Sequence, residues 1–392
     1  MDPVTNPYRP GAGRRPPLLA GRQGLIQEFE VIRRRAESFG EGDRSWVLNG
    51  LRGVGKTVLL NELLGRVSTE GWITTKVEAG TSTSLPVALS QALVRSMRTA
   101  TGRYPQSRLK RLLGIFKAFS LKVDPGGTVS VGVEVDPIDG IADSGRFADD
   151  LAALFETLGE TGRDLGIGVL ILVDELQEAT GGELTALNTA IHHLGQGDPP
   201  LPLTFIGAGL PSLPAQLAEA TSYAERLYDY KPVGLLDEKS SNEALTVPTR
   251  QLGVEWEEAA LRRALDTAEG YPYFLQSVGK HVWDNARTSP IAMDDVEVGL
   301  LEARREVDDG LYRSRWERAT PAQRAVMRAL AGIGGEGSAS VTDIATTLGR
   351  QRTSDISVAR NELIKKGIVY APERGLLAFT VPGMHDFIDR QP

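Results

Sequence analysis

The chain has no cysteine. Disulfides and thiolate metal sites are therefore excluded. Histidine is nearly as scarce, with four in 392 residues, at His192, His193, His281 and His385. The adjacent pair projects in different directions from a helix, so no histidine-built metal centre is expected. No apolar run approaches the length needed to span a bilayer. The opening, Met1 to Pro17, is rich in Pro, Gly and Arg and lacks the apolar core of a signal peptide or anchor, so a cytoplasmic protein with no membrane partner is expected. Positive charge is not in excess either. A net charge of −7 argues against a coat of nucleic acid and leaves room for one small basic face. What remains, 41% hydrophobic and 24% charged, is ordinary for a soluble globular chain long enough for about two or three domains.

The most informative stretch is Gly50-Leu51-Arg52-Gly53-Val54-Gly55-Lys56-Thr57. It follows the apolar run Trp46-Val47-Leu48 and precedes Val58-Leu59-Leu60, so the pattern switches from strand to helix across the glycines. That is the setting of a phosphate-binding loop. Gly50, Gly53, Val54 and Gly55 let the backbone curl with its N–H groups inward, and the helix adds its positive N-terminal end, with Val58 in its first turn. Lys56 is placed to reach the β- and γ-phosphates, and Thr57 to offer its hydroxyl to Mg²⁺. A second signature lies downstream, where the unbroken apolar run Ile167 to Val173 ends in Asp174-Glu175. Such a strand belongs at the centre of a parallel sheet covered on both faces, and its end opens onto the ligand crevice. Asp174 is then expected to hold Mg²⁺ through water, and Glu175 to orient or deprotonate an attacking water.

Between these signatures, Trp72 to Glu78 alternates as a half-buried strand and Leu85 to Thr99 reads as a helix. Phe119 to Val123 and Val129 to Val135 alternate around Asp124-Pro125-Gly126-Gly127, which predicts a hairpin insertion over about residues 119–135. From Asp237 to Met293 the pattern is helical. The last stretch differs again. Thr320-Pro321 caps a helix, Val341 to Leu348 forms a second, Ser354 to about Lys366 a third, and Ile368 to Val381 a hairpin. Three helices and a hairpin make a winged helix. Arg350 and Arg352 in the turn between its second and third helices, with Arg360 and Lys365 on its third helix, are candidate contacts to double-stranded DNA, while a protein partner is the other use of such a module.

Taken together, Leu18 to Arg22, the Gly50–Thr57 loop, Asp174-Glu175, Tyr223 to Leu227, Gly270 to Pro272 and the terminal winged helix resemble prokaryotic AAA+ ATPases of the origin-recognition-like group, which borders on the STAND ATPases. The resemblance implies an α/β P-loop core with a parallel sheet, an α-helical lid and a C-terminal winged helix, binding ATP with Mg²⁺. It divides the chain into a flexible segment 1–17, a core 18–232, a lid 233–315 and a winged helix 316–392. It further implies that Gly21 and Arg22 border the nucleotide base and that Tyr271 and Pro272 bring the lid to the nucleotide. Arg226 would act across a subunit boundary on a neighbour's γ-phosphate, in a homo-oligomer. The strand end Gly207-Ala208-Gly209 departs from the family pattern, which places a polar sensor there; Thr204 and Ser212 are the nearest candidates. Two roles follow from the resemblance: nucleotide-controlled binding to DNA or to a DNA-processing partner, and a STAND-like signalling or defence switch acting on a separate effector protein.

Overall fold

The computed structural model describes residues 1–80, 83–124, 136–138, 140–335 and 337–391. These group into two units, one of Gly24–Asn49 with Lys56–Pro232, the other of Met1–Gln23, Gly50–Gly55 and Val233–Pro392.

Along the first unit run α1 (Gln23–Phe39), β1 (Ser45–Asn49), α2 (Lys56–Ser68), β2 (Ile73–Glu78), α3 (Leu85–Arg103), α4 (Gln106–Val123), α5 (Phe147–Leu165) and β3 (Val169–Asp174). They are followed by α6 (Gly181–Leu194), β4 (Leu203–Gly209), α7 (Leu213–Ala220), α8 (Ala224–Leu227) and β5 (Tyr228–Pro232). The five strands form one parallel sheet in the order β2-β3-β4-β1-β5. Every residue of β3 and β4 is buried, as strands covered on both faces require. Because all pairs are parallel, the strands end at the same edge, and Asp174 lies there. Local chemistry sets the helix ends. Thr180 and Glu183 form a reciprocal cap on α6, and Gly166 closes α5 in the left-handed conformation.

One expectation fails in this unit. Phe119 to Val123 is not a strand but the last turn of α4. The reason is period: Leu109, Leu112, Leu113, Phe116 and Phe119 recur every three to four residues and are at most 1% exposed. Burying each is worth about 2 kcal/mol, more than the roughly 1 kcal/mol range of strand preference. The second half of the predicted hairpin, Val129 to Val135, lies outside the described residues.

In the other unit, α9 (Glu238–Arg250), α10 (Glu258–Ala268), α11 (Pro272–Asn285) and α12 (Met293–Val307) form a helical bundle, helical as the periodicity predicts and standing where the resemblance implies a lid. Its core joins Leu245, Ala264, Leu275, Val282 and Leu300. The opening segment, expected to be loose, is part of that core. Tyr8 is 4% exposed, its ring fills the space that a side chain on Gly279 would take, and its hydroxyl donates to the Leu245 carbonyl. Asn6 donates to the Lys280 carbonyl and to Asp284, at 2.9 and 2.7 Å. The segment expected to be flexible is tied down by one aromatic side chain in a glycine notch.

A single turn of π-helix, Asp308–Arg313, leads to α13 (Ser314–Glu317) and the terminal domain. There α14 (Pro321–Gly334), β6 (Ser338–Ser340), α15 (Val341–Thr347), α16 (Ser357–Lys365), β7 (Val369–Tyr370), β8 (Leu376–Phe379) and α17 (Met384–Asp389) make the winged helix. The predicted hairpin is present as β7 and β8, and β6 extends it into an antiparallel sheet ordered β6-β8-β7. The third helix is shorter than expected, because Thr353–Ile356 forms a 3-10 turn ahead of it.

Candidate functional site

In the sheet unit, Lys56 and Thr57 open α2 and Asp174 ends β3. The Thr57 hydroxyl donates to Asp174 Oδ2 at 2.7 Å. A hydroxyl and a carboxylate in contact at a helix N-terminus are hard oxygen donors, the set that Mg²⁺ accepts alongside phosphate and water. Lys56 is 6% and Asp174 4% exposed. Val58 is half-buried in the first turn of α2.

Glu175 follows at φ 50° and ψ 36°, a left-handed conformation for a residue with a Cβ. Such conformations cost on the order of 1 kcal/mol and persist where surrounding structure holds them. Its N–H donates to Asp174 Oδ1 at 3.0 Å, and its carboxylate accepts from Gln177 Nε2 at 2.5 Å. Gln177 escaped the sequence reading. A carboxamide two residues past an acidic pair was its only signal, together with the unexplained glycines of β4.

Neither sensor candidate takes that place. Thr204 is 1% exposed near the start of β4, at the opposite end of the strand from Gly209. Ser212 precedes α7 and makes no capping bond through its side chain. Arg226 also stands apart from Thr57 and Asp174. It is exposed at the end of α8, just before Tyr228, which pairs with Ser45 at the start of β1. A five-residue strand is about 16 Å long, so Arg226 sits at the sheet edge opposite to Asp174. Its side chain forms no ion pair among the described residues, while neighbouring Asp229 pairs with Lys231 at 2.8 Å. It lines a cavity of about 600 Å³ with Arg35, Arg44, His192 and Tyr223.

In the second unit, the glycine loop Gly50–Gly55 is held at each turn. Gly53 and Gly55 adopt φ of 80° and 96°. A Cβ on Gly53 would lie 2.0 Å from the Tyr271 hydroxyl oxygen, so glycine is required by conformation and by space. Gly50 is as tightly placed, 2.0 Å being the separation of its notional Cβ from the Val233 carbonyl oxygen. Tyr271, 2% exposed, donates to the Arg52 carbonyl at 2.5 Å. Burial pushes its phenol well above its ordinary pKa, which keeps it a donor. Gly270, at φ 70°, lets the Leu236 backbone approach, with Leu236 N–H donating to its carbonyl at 2.8 Å, and Pro272 begins α11. The Gly-Tyr-Pro segment is thus more than a helix start. It places a phenol on the loop.

Arg22 reaches the same loop. Its guanidinium donates to the Val54 carbonyl at 3.1 Å and to the Gly234 carbonyl at 2.5 Å, and burial lowers its pKa from the usual arginine value. Gly21, at φ 67°, makes room for Leu236 and Ser240. Removing the phenolic donor by Tyr271→Phe should lower stability by about 1 kcal/mol. Urea unfolding would read this as a lower midpoint; an unchanged midpoint would mean that the hydroxyl does not hold the Arg52 carbonyl.

The four candidate contacts to DNA all belong to the winged helix but differ in freedom. Arg350 and Arg352 are exposed in the turn between α15 and the 3-10 segment. Arg360 bonds its neighbour Asn361 at 3.1 Å, and Lys365 pairs with Glu362 at 3.0 Å. Val358, on α16, is 76% exposed.

Residues 18–206 match the AAA ATPase domain family, and residues 309–388 match a family described as a domain of unknown function (DUF8462). No curated protein matches the chain. Among solved structures, the Walker-type ATPase PABY2304 of Pyrococcus abyssi is similar at a TM-score of 0.61 and 17% identity, over 97% of this chain and 98% of that one. The Aeropyrum pernix Orc1 protein in complex with DNA gives 0.44 and 16%, over 96% and 94%. The RuvB Holliday junction branch migration motor of Thermotoga maritima gives 0.43 and 16%, over 97% and 100%. The first of these likenesses extends the shared fold to nearly the whole chain.

Proposed function

We propose that this chain, which carries an AAA ATPase domain over residues 18–206, hydrolyses ATP and uses its nucleotide state to control how its winged helix grips double-stranded DNA. Lys56 neutralises the β- and γ-phosphates, and the N–H groups of the glycine loop cradle them. Thr57 and Asp174 would hold Mg²⁺, which would supply charge neutralisation to the phosphates. Glu175 orients the attacking water and takes its proton. Arg226, exposed and at the far sheet edge, serves a neighbouring copy rather than its own phosphates, which makes the active form a homo-oligomer.

One observation carries the link between nucleotide and winged helix. The Arg52 N–H, within the glycine loop, donates to the carbonyl of Thr380 at 3.0 Å, directly after β8. On the same residue, the guanidinium lies against Gly367, where a Cβ would meet its Nη2 at 2.7 Å. Thr380 in turn donates through its hydroxyl to the Gly367 carbonyl at 2.8 Å. Gly367 follows Lys366, which caps α16, the helix with Arg360 and Lys365. A loop that rearranges around phosphate therefore pulls on the end of the helix meant for the major groove.

The test is a fluorescence titration with duplex DNA, with and without ATP. Reversing Arg352 and Arg360 to Glu should weaken binding at least about tenfold and leave ATP affinity alone, and the native log-log salt slope should be about −0.9 for each phosphate contact. Binding that ignores ATP or both arginines would favour a protein partner, for which exposed Val358 and the Lys365–Glu362 pair suit the face better.

A further inference from the structure

The end of β4 carries no polar side chain, yet a polar group stands there. A Cβ on Gly209 would lie 2.6 Å from Gln177 Oε1, and one on Gly207 would lie 2.7 Å from Leu176 Cδ2. The two glycines vacate the space that the turn after β3 fills. Into that space Gln177 sends its carboxamide, whose oxygen accepts the Leu210 N–H at 3.1 Å. Its nitrogen donates to Glu175 Oε2 at 2.5 Å and, more weakly, to Glu178 Oε1 at 3.3 Å. The amide has one stable orientation. Turning it over would set its oxygen against a carboxylate and its NH₂ against an N–H, so both contacts would become repulsive.

We propose that Gln177 is the positioning residue for Glu175, linking the carboxylate to the backbone at the end of β4. The proposal rests on the hydrolysis reading above, in which Glu175 handles the water. A general base must hold its oxygen within hydrogen-bond reach of the proton it takes. Glu175 starts from a left-handed backbone, which by itself does not settle where the side chain points. A donor on Oε2 fixes the plane of the carboxylate, and the Leu210 N–H fixes that donor. Movement of the β4 end is then passed to Glu175 through one amide, with no polar residue needed on the strand itself.

Two substitutions at Gln177 separate positioning from mere attachment. Gln177→Glu keeps an oxygen for Leu210 but opposes Glu175 with like charge, whereas Gln177→Met keeps the length and loses both bonds. Each should lower kcat about tenfold or more while ATP affinity stays within about twofold, because the effect falls on the chemical step. Gly209→Ala, whose methyl would displace the carboxamide, should reproduce the loss without altering Gln177. A native kcat in Gln177→Glu would overturn the proposal, since the amide would then serve only the tie to β4; so would a fall in kcat matched by lost ATP affinity. Glu175→Gln, measured alongside, tells the two failures apart. If it hydrolyses ATP at the native rate, or if the native chain does not turn over at all, the role of Glu175 falls and that of Gln177 with it. If it is inactive while Gln177→Glu is native, only the positioning role is lost.

Discussion

ATP affinity of Lys56→Ala is expected to drop by at least about a hundredfold, on the order of 3 kcal/mol, because one charge-assisted contact to the phosphates disappears from a site screened from water. The side chain is 6% exposed, so its ammonium acts where water competes little. The fold should survive, since alanine is favourable in the first turn of α2. Calorimetric titration with ATP, together with a thermal melt as a control on folding, reads both quantities. Unchanged affinity in a folded variant would sink the nucleotide reading, and with it every role assigned to the loop.

Hydrolysis, not binding, should fail in Glu175→Gln. Replacing the carboxylate by an amide of the same shape removes the proton acceptor and should lower kcat by roughly 10²- to 10⁴-fold. Affinity should stay near native, because Thr57, Asp174 and Lys56 are untouched. The bond from Gln177 Nε2 can still end on the new side-chain oxygen, so the turn keeps its geometry. Single-turnover kinetics with saturating ATP isolate this step. A native rate would remove Glu175 from the chemistry.

These variants bracket a cycle. In Lys56→Ala the loop should stay in its unliganded state, and in Glu175→Gln it should dwell with ATP bound. If the Arg52–Thr380 bond couples the loop to the winged helix, the two proteins should differ in DNA affinity although neither substitution alters a residue of α16. Both Tyr271 and Thr380 hold the backbone of Arg52, which makes that residue the junction of lid, loop and terminal domain within one unit.

What could be read from the chain alone was whatever near neighbours decide. The change of period across Gly50–Thr57, the apolar run before Asp174-Glu175, the lid helices and the hairpin of the winged helix are set by residues a few positions apart, and each is present in the structure. Period also explains why Phe119 to Val123 was misread as a strand, since Phe119 alternates with its immediate neighbours but repeats with Leu112 and Phe116 over a longer window. Only the tertiary structure decided the rest. Tyr8 meets Gly279, Arg22 meets Gly234, Tyr271 meets Arg52 and Gln177 meets Leu210 across separations that no local pattern records. In three of those places a glycine makes the meeting possible, at Gly53, Gly209 and Gly279, and a glycine in sequence looks the same whether it turns the backbone or leaves room for a distant side chain. Packing, by removing those side chains from water and offering each one partner, is what tells the two apart.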